Sequence, residues 1–349
     1  MVILLKKGNK FGTHRVIEPK GSMPQAAQKI SNDVEIYNNE ILIDVEALNI
    51  DSASFTQLKG EAHGDPEKIK AKIMKIVEER GKMQNPVTGS GGMLMGKVVQ
   101  IGDAIKGKIN LKEGDRIATL VSLSLTPLKI EEIKEVKLGI DKVIVKAQAI
   151  LFESGIYAKL PEDMPDSVAL AALDIAGAPA QTKKLVKSGD SVLILGATGK
   201  SGVMCSYEAK KQAGSEGNII GLARNEKRAE YLRELGFCDS VIVADARNPI
   251  DVYEETLKAN GGSEVDISIN CVNISDTEMS SILPVKDEGI VYFFSMATSF
   301  TKAALGAEGV GKDVQMIIGN GYTKNHAEIT LEELRENSKL MNLFEEKYV

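Results

Sequence analysis

The stretch Ser191-Val-Leu-Ile-Leu-Gly196-Ala-Thr-Gly199-Lys-Ser-Gly202 decides the fold. An apolar strand runs straight into closely spaced glycines, and a helical pattern follows. A dinucleotide pyrophosphate needs such a turn. Glycine lets the backbone come close, and a helix N-terminus offers free N–H groups and partial positive charge. The spacing is Ala-x-Gly-x-x-Gly, with Ala197 where the usual fingerprint has its first glycine. Gly196, Ala197, Thr198, Gly199, Lys200, Ser201 and Gly202 are the candidate phosphate-binding residues. Two rival readings fail on spacing. Gly199-Lys-Ser resembles the end of a P-loop, but Ile194 stands where that motif needs its first glycine. Tyr207 and Lys211 have Tyr-x-x-x-Lys spacing, but they follow the glycines by one turn and read as ordinary helix-surface residues.

Around this turn the pattern alternates strand and helix. Candidate strands are 191–196, 218–223, 240–244, 265–271, 290–294 and 314–318, with helices around 202–212, 226–235, 249–259 and 277–283. Six strands with intervening helices predict an α/β Rossmann domain, a doubly wound parallel sheet, over residues 156–324. Residues 1–155 read mostly as strand and loop. Strands are expected at Glu40–Leu48, Met93–Ile101 and Arg116–Leu120. One helix interrupts them, with Asp65 as N-cap, Pro66 at the first position and Gly81 past the end. An amphipathic helix from Leu331 to about Glu346 is expected to return residues 325–349 to the first domain.

Ligands of a doubly wound sheet sit at the carboxyl ends of its strands. The second strand ends Ile219-Ile-Gly-Leu-Ala-Arg224-Asn225, where an enzyme choosing NAD carries an acid for the ribose hydroxyls. Arg224 stands there instead, suited to a 2′-phosphate, so the cofactor is read as NAD or NADP. Asn273 and Ser295, after the fourth and fifth strands, are candidates for the nicotinamide end.

Composition narrows the class. The 349 residues are 43% hydrophobic and 26% charged, with net charge −6, which argues for a globular chain and against a nucleic-acid partner. The four apolar residues after Met1 are too few for a secretory signal, and no apolar run approaches a membrane span. There are three His and three Cys, without a CxxC or HxxxH pattern. The expected setting is a reducing cytoplasm.

The order of parts resembles the medium-chain dehydrogenase/reductase superfamily. Gly91-Gly-Met-Leu-Met-Gly-Lys-Val-Val-Gln-Ile-Gly and Leu111-Lys-Glu-Gly-Asp-Arg-Ile look like its first-domain core. More specific blocks are Gly8-Asn-Lys-Phe-Gly-Thr-His-Arg-Val-Ile-Glu-Pro-Lys-Gly, Leu48-Asn-Ile-Asp-Ser-Ala-Ser-Phe, Asn85-Pro-Val-Thr-Gly-Ser-Gly-Gly-Met-Leu and Gly306-Ala-Glu-Gly-Val-Gly-Lys-Asp-Val-Gln-Met-Ile-Ile-Gly-Asn-Gly-Tyr. These are similar to the L-erythro-3,5-diaminohexanoate dehydrogenase family. The resemblance implies a strand-rich, GroES-like catalytic domain beside the Rossmann domain. It also implies NAD(P)-dependent oxidative deamination of a diamino acid to 5-amino-3-oxohexanoate, in anaerobic lysine fermentation. The alternative on the same scaffold is a zinc-free enoyl or quinone reductase.

Zinc-dependent members of the superfamily draw ligands from the first domain, which here has no Cys. Where a Gly-His-Glu would stand, the chain reads Gly89-Ser90-Gly91, so hydride transfer without a metal is expected. An amine substrate calls for a base, an acid for its second ammonium and a cradle for its carboxylate. Asp51, Ser52, Asp174 and Glu308 are the catalytic candidates. Asp174 is taken as an acid in an apolar stretch, and Glu308 as part of a mobile glycine loop. Ser90, Gly91 and Lys302 are the substrate-binding candidates, with Arg80 a weaker one. Pairing through the last sheet strand, around Val314–Ile318, makes a homodimer the expected assembly.

Overall fold

The computed structural model describes residues 6–319 and 321–349. Met1–Leu5, which carry the reading of the N-terminal apolar run, lie outside them. The chain divides into two compact units, Met1–Asp166 and Ser167–Val349.

The first unit holds a short ribbon, β1 (Val16–Glu18) and β2 (Lys29–Ile30), then β3 (Glu40–Asn49), α1 (Ser52–Glu61) and α2 (Pro66–Arg80). β4 (Met93–Ile101), β5 (Arg116–Thr119), β6 (Leu128–Lys137), β7 (Lys142–Phe152) and β8 (Tyr157–Lys159) follow. The main sheet has the antiparallel order β6-β7-β3-β4-β5-β8. Because β8 pairs with β5, this unit runs past residue 155, where the sequence sets its end. Helix α2 is built as its caps dictate. Asp65 accepts from the Glu67 and Lys68 N–H groups, and Gly81 closes the helix in the left-handed region. Ile69, Ile73, Ile76 and Val77 form its buried face. Helix α1 was not anticipated, because its sequence has little apolar periodicity and its start rests on the Asp51 cap.

One buried ion pair ties the N-terminal segment to the main sheet. Arg15 donates from Nε and Nη2 to Glu40 at 2.7 and 2.6 Å, and His14 Nε2 lies 2.8 Å from the same carboxylate. The His14 Nδ1 accepts from the Asn9 N–H, so Nε2 is the donor. Burial pushes the Glu40 carboxyl up, but the bonds from Arg15, His14 and the Tyr37 N–H overcome it and hold it at about 2.

The second unit opens with α3 (Asp166–Leu173) and α4 (Gly177–Leu185). It continues through β9 (Ser191–Leu195), α5 (Lys200–Ala213), β10 (Asn218–Ala223), α6 (Glu226–Leu235), β11 (Ser240–Val243), α7 (Pro249–Ala259) and β12 (Val265–Asn270). α8 (Glu278–Ile282), β13 (Val285–Phe293), α9 (Phe300–Val310), β14 (Gln315–Ile318), α10 (His326–Glu336) and α11 (Ser338–Tyr348) complete it. All six strands are parallel in the order β11-β10-β9-β12-β13-β14. This is a doubly wound sheet whose order reverses between β9 and β12. Val192 and Ile194 pack on one face of the sheet, and Leu193 and Leu195 on the other. Burial on both faces explains the unbroken apolar run of β9.

The C-terminal segment differs from expectation in two ways. It is two helices, broken at Asn337, whose side chain caps α11 by accepting from the Leu340 N–H. Both belong to the second unit, where α10 packs on α4 and α5 and Glu336 pairs with Lys211. Among the described residues no helix is long and apolar enough to cross a membrane.

The Glu40 carboxyl is at about 2 in the fold against an ordinary value of 4.5, so the unfolded chain takes up the proton first as pH falls. Its stabilisation is full above about 4.5 and is lost as pH falls toward 2. Glu40→Gln should cost about 3 kcal/mol at pH 7, the usual scale for breaking a buried pair. Urea unfolding of the two proteins should show this gap narrowing at pH 3.

Candidate active site

At the end of β9 the chain turns at Gly196, whose φ of +75° is left-handed. The Gly199 N–H donates back to the Gly196 carbonyl at 2.9 Å, and α5 starts at the next residue. A Cβ on Gly202 would lie 2.1 Å from the Gly196 oxygen and 2.7 Å from the Ala197 Cα, so only glycine allows this approach. A Cβ on Gly199 would meet only the Gly196 oxygen, at 3.3 Å. Gly199 is the N-cap of α5 and supplies no side-chain cap. The N–H groups of Lys200, Ser201 and Gly202 therefore remain as donors beside an open backbone surface. An anion such as a pyrophosphate fits this cradle. Ala197 is buried in the core and fills the space of the missing first glycine.

The other strand ends carry the remaining cofactor candidates. Arg224 is exposed after β10, and Asn225 caps α6 by accepting from the Arg228 N–H at 3.1 Å. After β11, Arg247 grips Asp245 through two guanidinium nitrogens, at 3.1 and 2.8 Å. Those bonds, the Arg247 N–H and the charge of Arg224 hold the Asp245 carboxyl down at about 2. Asn273 is exposed beyond β12. Ser295, beyond β13, is half-buried and its Oγ accepts from the Ala297 N–H.

Sequence reasoning missed what shapes these ends. Asn270 is fully buried and donates to the Thr277 and Ser281 hydroxyls at 2.9 Å each, while its carbonyl accepts from the Val272 N–H. Glu278 accepts from the Ser299 N–H at 2.7 Å. A buried Asn closing an apolar strand was the available signal.

Three second-unit candidates take different settings from those expected. Asp174 is exposed in the turn after α3 and pairs with Lys200 at 2.6 Å, so it is not an acid enclosed by apolar residues. Glu308 is not in a loop but exposed on α9. The glycine there that suggested a loop, Gly306, is a packing residue, since a Cβ on it would lie 2.3 Å from the Met279 sulfur on α8. Lys302 is exposed and paired with Asp276.

In the first unit, Asp51 and Ser90 come together. Asp51 caps α1, its Oδ1 accepting from the Ser54 N–H at 2.9 Å, while its Oδ2 accepts from Ser90 Oγ at 2.8 Å. Ser54 and Thr88, which the sequence did not single out, complete a cluster. Ser54 Oγ lies 2.9 Å from Ser90 Oγ and 2.5 Å from Thr88 Oγ1. The loop carrying Thr88 and Ser90 is shaped by Asn85. Its side chain accepts from the Val87 and Thr88 N–H groups and donates to Gln57 on α1. Gly91 sits where a Cβ would meet the Met83 carbonyl at 2.4 Å, which presses the loop onto the chain beneath it. Ser52 turns away and donates to Asp141 at 3.1 Å. Arg80 is engaged with the Gln28 carbonyl and Gln84. Among the described residues, no three His, Cys, Asp or Glu side chains form a metal-holding group.

Residues 14–161 match the model of the L-erythro-3,5-diaminohexanoate dehydrogenase N-terminal domain. The chain is also 68% identical over 343 residues to the L-erythro-3,5-diaminohexanoate dehydrogenase of Acetoanaerobium sticklandii, covering 98% of this chain and 100% of the relative. The chain belongs to the L-erythro-3,5-diaminohexanoate dehydrogenase family. The diaminohexanoate dehydrogenase of Fusobacterium nucleatum is similar, at 64% identity over 99% of this chain and 100% of its own. As a member of this dehydrogenase family the chain is an oxidoreductase. Its fold also matches a mycobacterial protein solved in complex with NADPH. That match has a TM-score of 0.52 at 17% identity, over 89% of this chain and 81% of the other.

Gly199→Ala tests the cradle of this diaminohexanoate dehydrogenase family member. The added methyl would sit 3.3 Å from the Gly196 carbonyl oxygen, which must give by a few tenths of an ångström, next to the first residue of α5. Dinucleotide affinity, followed by calorimetric titration, should fall about tenfold, the equivalent of ~1.4 kcal/mol. The melting temperature should stay near that of the wild type.

Proposed function

We propose that this chain oxidises L-erythro-3,5-diaminohexanoate at its 3-amino group, giving 5-amino-3-oxohexanoate and ammonia, in the cytoplasm of a lysine-fermenting cell. The observation that carries the reading is the full-length similarity to two relatives named for this dehydrogenase. A nicotinamide cofactor, when bound, accepts the hydride. Water supplies the oxygen of the new ketone, and the balance releases one ammonium ion and one proton. The three cysteines are free thiols, which suits a reducing compartment.

The chain's own groups divide the work. The turn from Gly196 to Gly202 holds the pyrophosphate. Arg224, with Arg247 fixed by Asp245, favours a 2′-phosphate, whereas the exposed ribose hydroxyls of NAD would find no acid at the end of β10. Asn273 and Ser295 serve the nicotinamide end. The substrate ammonium must lose a proton before its carbon can give up hydride, and Asp51 is the base for that step. The Ser90–Gly91 loop receives the substrate. We assign no role to Asp174 or Lys302, each held in an ion pair, or to Glu308 on α9. Two copies pair through β14, one of the sheet's two edge strands, where Ile318 is 55% exposed. Light scattering should then report twice the chain mass, and a monomer would refute the pairing.

The direct test is reduction of NAD and of NADP in the presence of 3,5-diaminohexanoate. Asp51→Asn should cut turnover by at least ~10²-fold, the scale of a lost general base, while Glu308→Gln should leave it unchanged. Arg224→Ala should raise the KM for NADP and spare that for NAD. Equal effects on both cofactors would remove the 2′-phosphate role.

A further inference from the structure

We propose that Thr88, Ser54 and Ser90 form a one-way hydroxyl relay that carries a proton from the substrate's ammonium group to Asp51. The relay rests on the deamination reading above and extends it to Thr88 and Ser54.

Hydrogen accounting sets the direction. An ionised carboxylate only accepts, so Ser90 must donate to Asp51 Oδ2 across the 2.8 Å contact. This uses the only hydroxyl proton of Ser90. Ser54, at 2.9 Å, lies nearer to Ser90 than Thr88 does, at 3.2 Å, and is the donor to it in the relay. Its proton is then spent too, and Thr88, at 2.5 Å, must donate to Ser54. The direct Thr88–Ser90 separation is longer, at 3.2 Å. All three hydroxyls thus point inward to one carboxylate. The middle one, Ser54, is fully buried, so water has no access to break the chain there. Thr88, the outer one, is exposed.

The outer end has a lone pair and no free proton. Among the described residues its further contact is the long 3.4 Å approach of the Ser90 N–H. Such an end accepts from a cation that carries N–H groups and has nothing to offer an anion. A protonated amine is the ligand it fits. In the transfer, the ammonium N–H passes its proton to Thr88, and Thr88 passes its own to Ser54. Ser54 passes its proton to Ser90, and Ser90 passes its proton to Asp51. Three hydroxyls are restored with their orientation reversed, Asp51 gains one proton, and the substrate nitrogen regains its lone pair. No atom changes oxidation state.

The test is a set of pH–rate profiles with 3,5-diaminohexanoate for the wild type, Thr88→Val, Thr88→Ser and Ser54→Ala. A broken relay should matter only while the amine is protonated. Thr88→Val and Ser54→Ala should lose about a hundredfold in kcat/KM at pH 7. They should rejoin the wild type as pH nears ~10, where an alkyl ammonium ionises unaided. Thr88→Ser, which keeps the hydroxyl, should follow the wild type. Thr88 is exposed, so its valine variant reports even if loss of buried Ser54 unfolds the chain. A wild-type profile for Thr88→Val, or an equal loss at every pH, overturns the relay alone. A wild type that binds dinucleotide but never oxidises the diamino acid overturns the deamination reading and the relay with it.

Discussion

The second unit depends on a contact between two pieces of backbone with no side chain between them. Gly202, in the first turn of α5, presses on the Gly196 carbonyl so closely that a methyl group would overlap it. That approach brings the helix start directly over the end of β9. Gly196 in turn leans on the backbone of Cys271 and Val272, just past β12. The turn is therefore wedged where the strand order reverses, the place where a doubly wound sheet opens a crevice. Around it, Asn270 and Glu278 spend their polar groups holding neighbouring strand ends in shape.

The first unit uses a different economy. A single carboxylate, Asp51, serves two purposes with two oxygens. One satisfies an orphan N–H at the start of α1, and the other collects the Ser90 hydroxyl. Because the cap fixes the side chain, the second oxygen is held without a dedicated support. The loop opposite is equally constrained, since Asn85 imitates a backbone turn and anchors it to α1.

Much of this was legible in the sequence because it rests on local rules. The six parallel strands announced themselves as apolar runs, and Asp65, Pro66 and Gly81 bounded α2 at the residues observed. Other features depend on distant partners. Gly306 has the look of a loop residue until Met279 is known to fill its side. Asp174 seemed enclosed because its neighbours along the chain are apolar, yet the helix end turns it outward to Lys200. The C-terminal segment read as one helix because apolar periodicity continues across Asn337, where the backbone itself breaks. Ser54 and Thr88 carried no signal at all, because their meaning comes from hydroxyls brought together across 34 residues of chain.

The notch at Gly306 has a chemical consequence. The Met279 thioether on α8 occupies the space where any other residue at position 306 would carry its β-carbon, so this sulfur lies directly against the α9 backbone. Sulfoxidation would add a polar oxygen to a half-buried thioether at this contact. Oxidation of that one side chain would therefore change the polarity of the contact between α8 and the helix that follows Ser295, and a sulfoxide reductase would reverse it.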